Sequence, residues 1–141
     1  GTPVLQQLVR GSVAAGMTFN GDYIFLKSED PEGFADIEFV LPEEGAEIWV
    51  DTMMVPVDAP NPELAHAFIN FILDAEVGAQ LSNWNYYSSP NAAALPMLDE
   101  ILQAPPVTPT AEQMQRLAFT PSLQGEALTF QQQLWREVKS R

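Results

Sequence analysis

The sequence predicts an α/β protein, and three observations carry that prediction. Short apolar runs bounded by glycine, asparagine and proline crowd residues 12–56. Helical spacing takes over from residue 61 onward. The order is therefore strand, strand, strand and then mostly helices, whereas a βαβ repeat alternates more evenly. About three strands beside five helices read as the tail of a larger α/β architecture whose sheet partners lie outside these residues.

Residues 3–10 (PVLQQLVR) are expected to end a helix that Gly11 closes. Residues 12–19 (SVAAGMTF) are small, apolar and β-branched, the pattern of a buried strand. Gly21 to Lys27 fits a short helix or turn, and 28–34 (SEDPEGF) an exposed loop. Residues 36–41 (DIEFVL) alternate polar and apolar, as in a strand with one wet face. A turn at 42–46 leads to a longer strand over 47–56 (EIWVDTMMVP).

Asn61 is then a good N-cap, with Pro62 at the first helical position and Glu63 complementing the dipole. Leu64, Phe68, Ile69, Phe71 and Ile72 recur at helical spacing and predict one buried face. A second helix is expected over 76–84, an irregular aromatic segment at NYYSSPN, and a further helix over 91–102. APPVTP reads as an extended linker. Thr110 and Gln113 have the spacing of a capping box. A last helix is expected over 122–140, with Ala127, Leu128, Gln131, Leu134, Trp135 and Val138 on or near one face.

Composition narrows the functional classes. The chain is 46% hydrophobic and 18% charged, which places it with folded and not with disordered proteins. No run of 18 apolar residues is present to span a membrane, and no signal segment is read in the polar first residues. Without cysteine there is no thiol nucleophile, disulfide or thiolate metal site. The formal net charge is −13, and the stretch from Asp22 to Asp51 is strongly acidic. Such a chain repels nucleic acid and anionic membranes. Two readings of the charge stand side by side: solubility, and attraction of a cationic ligand.

Catalytic patterns are missing from the sequence. The single histidine, His66, falls on the flank of the helix that begins after Asn61. No nucleophile elbow, HExxH, GxGxxG or P-loop occurs. The carboxylate pairs Glu43-Glu44 and Asp99-Glu100 are sequence neighbours, whose side chains diverge. The expectation is a protein that is not an enzyme and uses no cofactor. Three aromatic spots instead suggest binding: Phe19-Asn20-Gly21-Asp22, Trp49-Val50-Asp51 and Trp84-Asn85-Tyr86-Tyr87. On a strand, Trp49 and Asp51 face the same side. A ring quadrupole and a carboxylate together suit an ammonium group. Ordinary packing of Trp49, with Asp51 as a turn or cap residue, fits the same pattern.

The runs GSVAAGMTFNGD, IEFVLPEEGAEIWVDTMMVPVDAPNPELAHAFINFIL and NYYSSPNAAA, with the terminal LW-x-x-VK, resemble the periplasmic spermidine/putrescine-binding proteins. Those proteins are the receptors of polyamine ABC transporters. The resemblance spans nearly all of residues 8–141 and implies the C-terminal half of a two-lobed periplasmic-binding-protein-like fold. By it, residues 1–49 belong to the second lobe, 50–96 return to the first, and 97–141 form the C-terminal helices of the second. It implies a periplasmic or other extracytoplasmic location. The implied partners are a polyamine, the N-terminal half of the same protein and an ABC transporter permease, with no nucleic acid.

Position by position, the resemblance makes Trp49 a wall of the ligand cleft and Asp51 the carboxylate that holds an amine. Tyr87 becomes a second cleft aromatic. Phe19 stands where relatives often carry tryptophan, so the ring is kept and the indole N–H is lost. Gln124 is the nearest counterpart of a ligand-contacting glutamine before the last helix. Trp84 and Tyr86 match no binding position and read as packing. Two alternatives remain at this point: the same fold binding another small solute, and a fragment that binds nothing and associates with its missing half or by segment swapping. Asp51 argues against an anionic solute.

Overall fold

The computed structural model describes residues 2–140. In chain order it contains α1 (Thr2–Val9), α2 (Asn20–Glu29), β1 (Ala46–Glu47), α3 (Pro62–Ile72), α4 (Ala75–Asn85), α5 (Ala111–Met114), β2 (Leu117–Ala118) and α6 (Gly125–Lys139). Two single turns of 3₁₀ helix, Leu95–Met97 and Glu100–Leu102, lie between α4 and α5. Among the described residues the sheet is a single parallel pair, with Ala46 opposite Leu117 and Glu47 opposite Ala118. The protein is thus a helical chain with little sheet.

Helix boundaries follow the capping chemistry of the sequence. Gly11 takes a positive φ of 67° just past α1, as a helix-closing glycine does. The Asn61 side chain accepts from the Leu64 N–H, with Pro62 at the first position of α3. Asp74 does the same for α4, accepting from Glu76 and Val77. Thr110 and Gln113 close a reciprocal capping box around the single turn of α5.

Strand expectations fare differently. Residues 12–19 form no ladder and are mostly exposed, with Met17 94% accessible. Residues 36–41 also lack a ladder, and the expected strand over 47–56 contracts to Ala46–Glu47. The cause is common to all three. An extended run becomes a strand only when a neighbour accepts its backbone N–H and C=O groups, and within these residues only 117–118 offers one. The alternation at 36–41 survives as packing: Ile37 and Phe39 lie against the core while Asp36, Glu38 and Val40 face water. The expected helix over 91–102 resolves into the two 3₁₀ turns, and Phe34, placed in an exposed loop by the sequence, is buried.

The core gathers Leu5 of α1, Tyr23 and Ile24 of α2, Phe34, Ala79 of α4, and Ala94, Leu98, Leu102 and Val107. Tyr23 anchors the middle: its ring meets Phe34 at 6.0 Å and Phe39 at 5.6 Å, and its hydroxyl donates to the Ile37 carbonyl at 2.8 Å. Three parts stand outside this core. The apolar face of α3 is not buried, with Leu64, Phe68 and Phe71 all exposed. Residues 49–54 and α6 are likewise exposed.

Candidate functional site

The three aromatic spots of the sequence converge, in part, on the first turn of α2. Asn20 sets that turn in place. Its amide Nδ2 donates to the carbonyls of Pro106 at 2.9 Å and Val107 at 3.3 Å, and its Oδ1 accepts from the Gly21 N–H. The loop after α4 is tied to the same segment: Ser88 and Thr108 share a hydroxyl hydrogen bond at 3.1 Å, and the Thr108 hydroxyl donates to the Leu102 carbonyl at 2.7 Å. Residues 102–108, which include the buried Leu102 and Val107, therefore hold residue 20 and residue 88 from one side.

Within this frame the Tyr87 hydroxyl donates to Asp22 Oδ1 at 3.0 Å. Gly21 makes the approach possible. A Cβ at that position would lie 2.5 Å from the Tyr87 ring, so the ring rests on bare backbone. Tyr86 ends α4 in the left-handed conformation with φ 64°, and the Tyr87 N–H donates to the Asn85 side chain at 2.9 Å. These local bonds turn the chain so that Tyr86 faces the core and Phe25, at 5.5 Å between rings, while Tyr87 faces α2.

The phenol of Tyr87 is pushed up from 10.0 to about 12. Burial is the largest cause; the hydrogen bond to Asp22, its charge, and then the charge of Asp51 add to it. Asp22 is the carboxylate in direct contact with this hydroxyl, and Asp51 adds only the smallest of these effects. Just before α2, the rings of Phe19 and Trp49 meet edge to face with centroids 5.0 Å apart. Phe19 is 48% and Trp49 42% exposed, so both remain partly open to solvent.

The structure therefore joins Phe19 to Trp49 by ring contact and Tyr87 to Asp22 by a hydrogen bond, with Phe19 and Asp22 three residues apart at the start of α2 and Asp51 two residues beyond Trp49. Gln124 precedes α6 and is exposed, and no described hydrogen bond joins it to the others. Trp84 is 80% exposed and does not pack as the sequence suggests, whereas Tyr86 does. His66, Glu43, Glu44, Asp99 and Glu100 are exposed and scattered. Sequence reasoning marks the Phe19–Asp22 spot but gives Asp22 no role. The signal was its place in the first turn of a helix, three residues after the aromatic. A separate open depression lined by Gln6, Arg10, Glu29, Asp30 and Phe34 shares no residue with this cluster.

Aromatic rings and carboxylates in one segment suit a cation with an apolar body. Residues 4–116 match the family described as bacterial extracellular solute-binding protein. The chain belongs to that family. It is 29% identical over 139 residues to the putrescine-binding periplasmic protein SpuD of Pseudomonas aeruginosa, covering 96% of this chain and 38% of that protein. It is 31% identical to spermidine/putrescine-binding periplasmic protein 1 of Haemophilus influenzae, covering 94% of this chain and 36% of that protein. It is 27% identical to the putrescine-binding periplasmic protein PotF of Escherichia coli, covering 96% and 38%. This member of the solute-binding family thus spans about 38% of the length of such relatives. The near-absence of sheet fits a partial periplasmic-binding-protein-like fold. Among the described residues no helix is long and apolar enough to cross a membrane.

Proposed function

We propose that this chain is part of the receptor of a polyamine ABC importer and that the cluster at the start of α2 is its share of the ligand site. Binding, not chemistry, is the activity: the relatives it matches are named as binding proteins. In this reading Phe19 and Trp49 form a wall along which the methylenes of a diamine lie. Asp51, with Asp22 beside it, receives an ammonium group through charge-assisted hydrogen bonds. The observation that supports the reading most directly is the first turn of α2, where the Phe19–Trp49 ring pair precedes by three residues the Asp22 carboxylate held by the Tyr87 phenol. Gln124 stays a candidate contact that reaches the ligand only once α6 is brought in by the rest of the protein.

The same reading divides the chain among two lobes, with 1–49 and 97–141 in the second and 50–96 in the first. The ligand then lies in the cleft between lobes, which closes about a hinge. The location is extracytoplasmic, and the further partners are the N-terminal half of the protein and a transporter permease. The exposed apolar residues of α3 and α6 support a protein of which more is needed than these residues.

Isothermal calorimetry with putrescine and spermidine on the full-length protein tests the proposal. We expect saturable heat with at least one of them, weakened at least tenfold by Asp51→Ala, the scale of one lost charged hydrogen bond. No heat with either polyamine, or unaltered binding in the Asp51 variant, would sink it.

A further inference from the structure

The resemblance treats Tyr87 as a ring for the ligand to lie against, and its geometry describes a further task. Its ring lies on the backbone of Gly21, where even a methyl group would collide with it at 2.5 Å. Its hydroxyl is committed to Asp22 Oδ1 at 3.0 Å. Its own N–H is fixed by Asn85, and the next residue, Ser88, is held by Thr108. A side chain pinned at ring, hydroxyl and backbone is fixed against Asp22, whatever its remaining open surface meets.

We propose that Tyr87 is a positioning residue: its hydroxyl clamps Asp22 Oδ1 so that Oδ2 is held toward the aromatic edge for an ammonium group, and Gly21 is required because it alone lets the ring lie close enough. This rests on the polyamine reading above. A carboxylate offers about four lone-pair sites on two oxygens, so one phenolic donor leaves the second oxygen free. An aspartate on the first turn of a helix otherwise samples several rotamers and turns toward the backbone N–H groups there. Fixing it beforehand removes an ordering cost from binding. The phenol serves this purpose because it stays protonated, and therefore a donor, across the whole physiological range.

A clamp differs from a removable lock. Were the hydroxyl merely a stand-in for an absent cation, binding would have to break the Tyr87–Asp22 bond, and removing the hydroxyl would tighten binding. The pinned ring argues for the clamp, since the tyrosine has nowhere to swing without leaving Gly21.

The test uses putrescine and cadaverine as probes on the full-length protein. Tyr87→Phe keeps the ring and deletes only the hydroxyl. We expect it to weaken diamine binding about tenfold, the scale of one hydrogen bond to a charged group. Asp22→Asn should weaken binding as well, and adding Tyr87→Phe to it should cost little more, because the hydroxyl acts only through that carboxylate. Gly21→Ala, which displaces the ring and leaves both polar groups present, should resemble Tyr87→Phe. Circular dichroism confirms that each variant is folded. Wild-type binding with Tyr87→Phe unaltered or tighter overturns the clamp and leaves the polyamine reading standing. Full additivity of Tyr87→Phe and Asp22→Asn also overturns it, since the tyrosine would then act on its own. No diamine binding by the wild type overturns the polyamine reading and the clamp with it.

Discussion

Two regions of this chain obey different rules. In the first, α1, α2, α4 and residues 94–107 bury their apolar side chains against one another, and Leu5, Ala94 and Leu102 are almost wholly inaccessible. In the second, residues 49–54, α3 and α6 carry large apolar residues of their own and bury almost nothing. Phe71 and Phe68 sit at the same helical spacing that buries residues elsewhere, yet more than half of each side chain is exposed. Spacing selects a face. It does not supply what covers the face. The candidate site lies where the regions meet: Tyr87 and Asp22 belong to packed elements, Trp49 and Asp51 to the extended segment.

The largest expected effects are those that set the two regions against each other. Leu102 is 0% exposed, and Leu102→Ala should cost about 2–5 kcal/mol through lost burial and the cavity left behind. Phe71→Ala is the counterpart in the second region. Left facing water, Phe71 should be worth less than about 0.5 kcal/mol. Under the proposed function another part of the protein covers α3, and the cost should rise to about 3 kcal/mol or more. Urea unfolding of both variants of the full-length protein separates these cases. A near-zero cost for Phe71→Ala would mean that the contrast between the regions belongs to the working protein.

A smaller effect tests whether the site is anchored in the packed region. Asn20→Ala removes two hydrogen bonds to the carbonyls of Pro106 and Val107. A destabilisation of about 1–3 kcal/mol is expected, since both acceptors lose a partner. If the first turn of α2 is set by this residue, polyamine affinity should fall with it. Loss of stability with affinity intact would show that the turn is placed by the packing of Tyr23 and Ile24 instead.

The contrast also explains what the sequence discloses. Two helix starts were legible because a cap is a local device: Asn61 to Leu64 and Thr110 to Gln113 each act within four residues. Strands were not, because residues 12–19, 36–41 and 49–56 carry strand patterns but find no ladder among the described residues. The site was half legible. Phe19, Trp49, Asp51 and Tyr87 are conspicuous as aromatic and acidic residues near chain turns. The Tyr87–Asp22 bond, 65 residues apart in sequence, depends on tertiary approach across Gly21, and no spacing rule reaches that far. Trp84 shows the converse, an aromatic that looks like packing and finds nothing to pack on.

The finest probe of that long-range contact is its pH dependence. The Tyr87 phenol holds its proton more tightly in the folded chain, with its ionisation moved from 10.0 to about 12 by burial, by the hydrogen bond to Asp22 and by the charges of Asp22 and Asp51. A group whose folded-state pKa is raised contributes stability that is fully present below the unfolded value. That contribution is lost as pH climbs from 10.0 to about 12, because the unfolded chain then releases a proton that the folded chain retains. Tyr87 is only partly buried, so solvent screening keeps the contribution small. The wild type and Tyr87→Phe should therefore differ in thermal midpoint by a constant amount below pH 10.0 and draw together above it. Phenolate absorbance gives a second reading on the same samples: the step near pH 12 should be missing from Tyr87→Phe and should move to lower pH in Asp22→Asn. Midpoints that stay parallel through this range, with an Asp22→Asn titration identical to wild type, would disconnect the phenol from the carboxylate. Tyr87 would then belong to the packed region alone, and the meeting of the two regions would reduce to the Phe19–Trp49 edge.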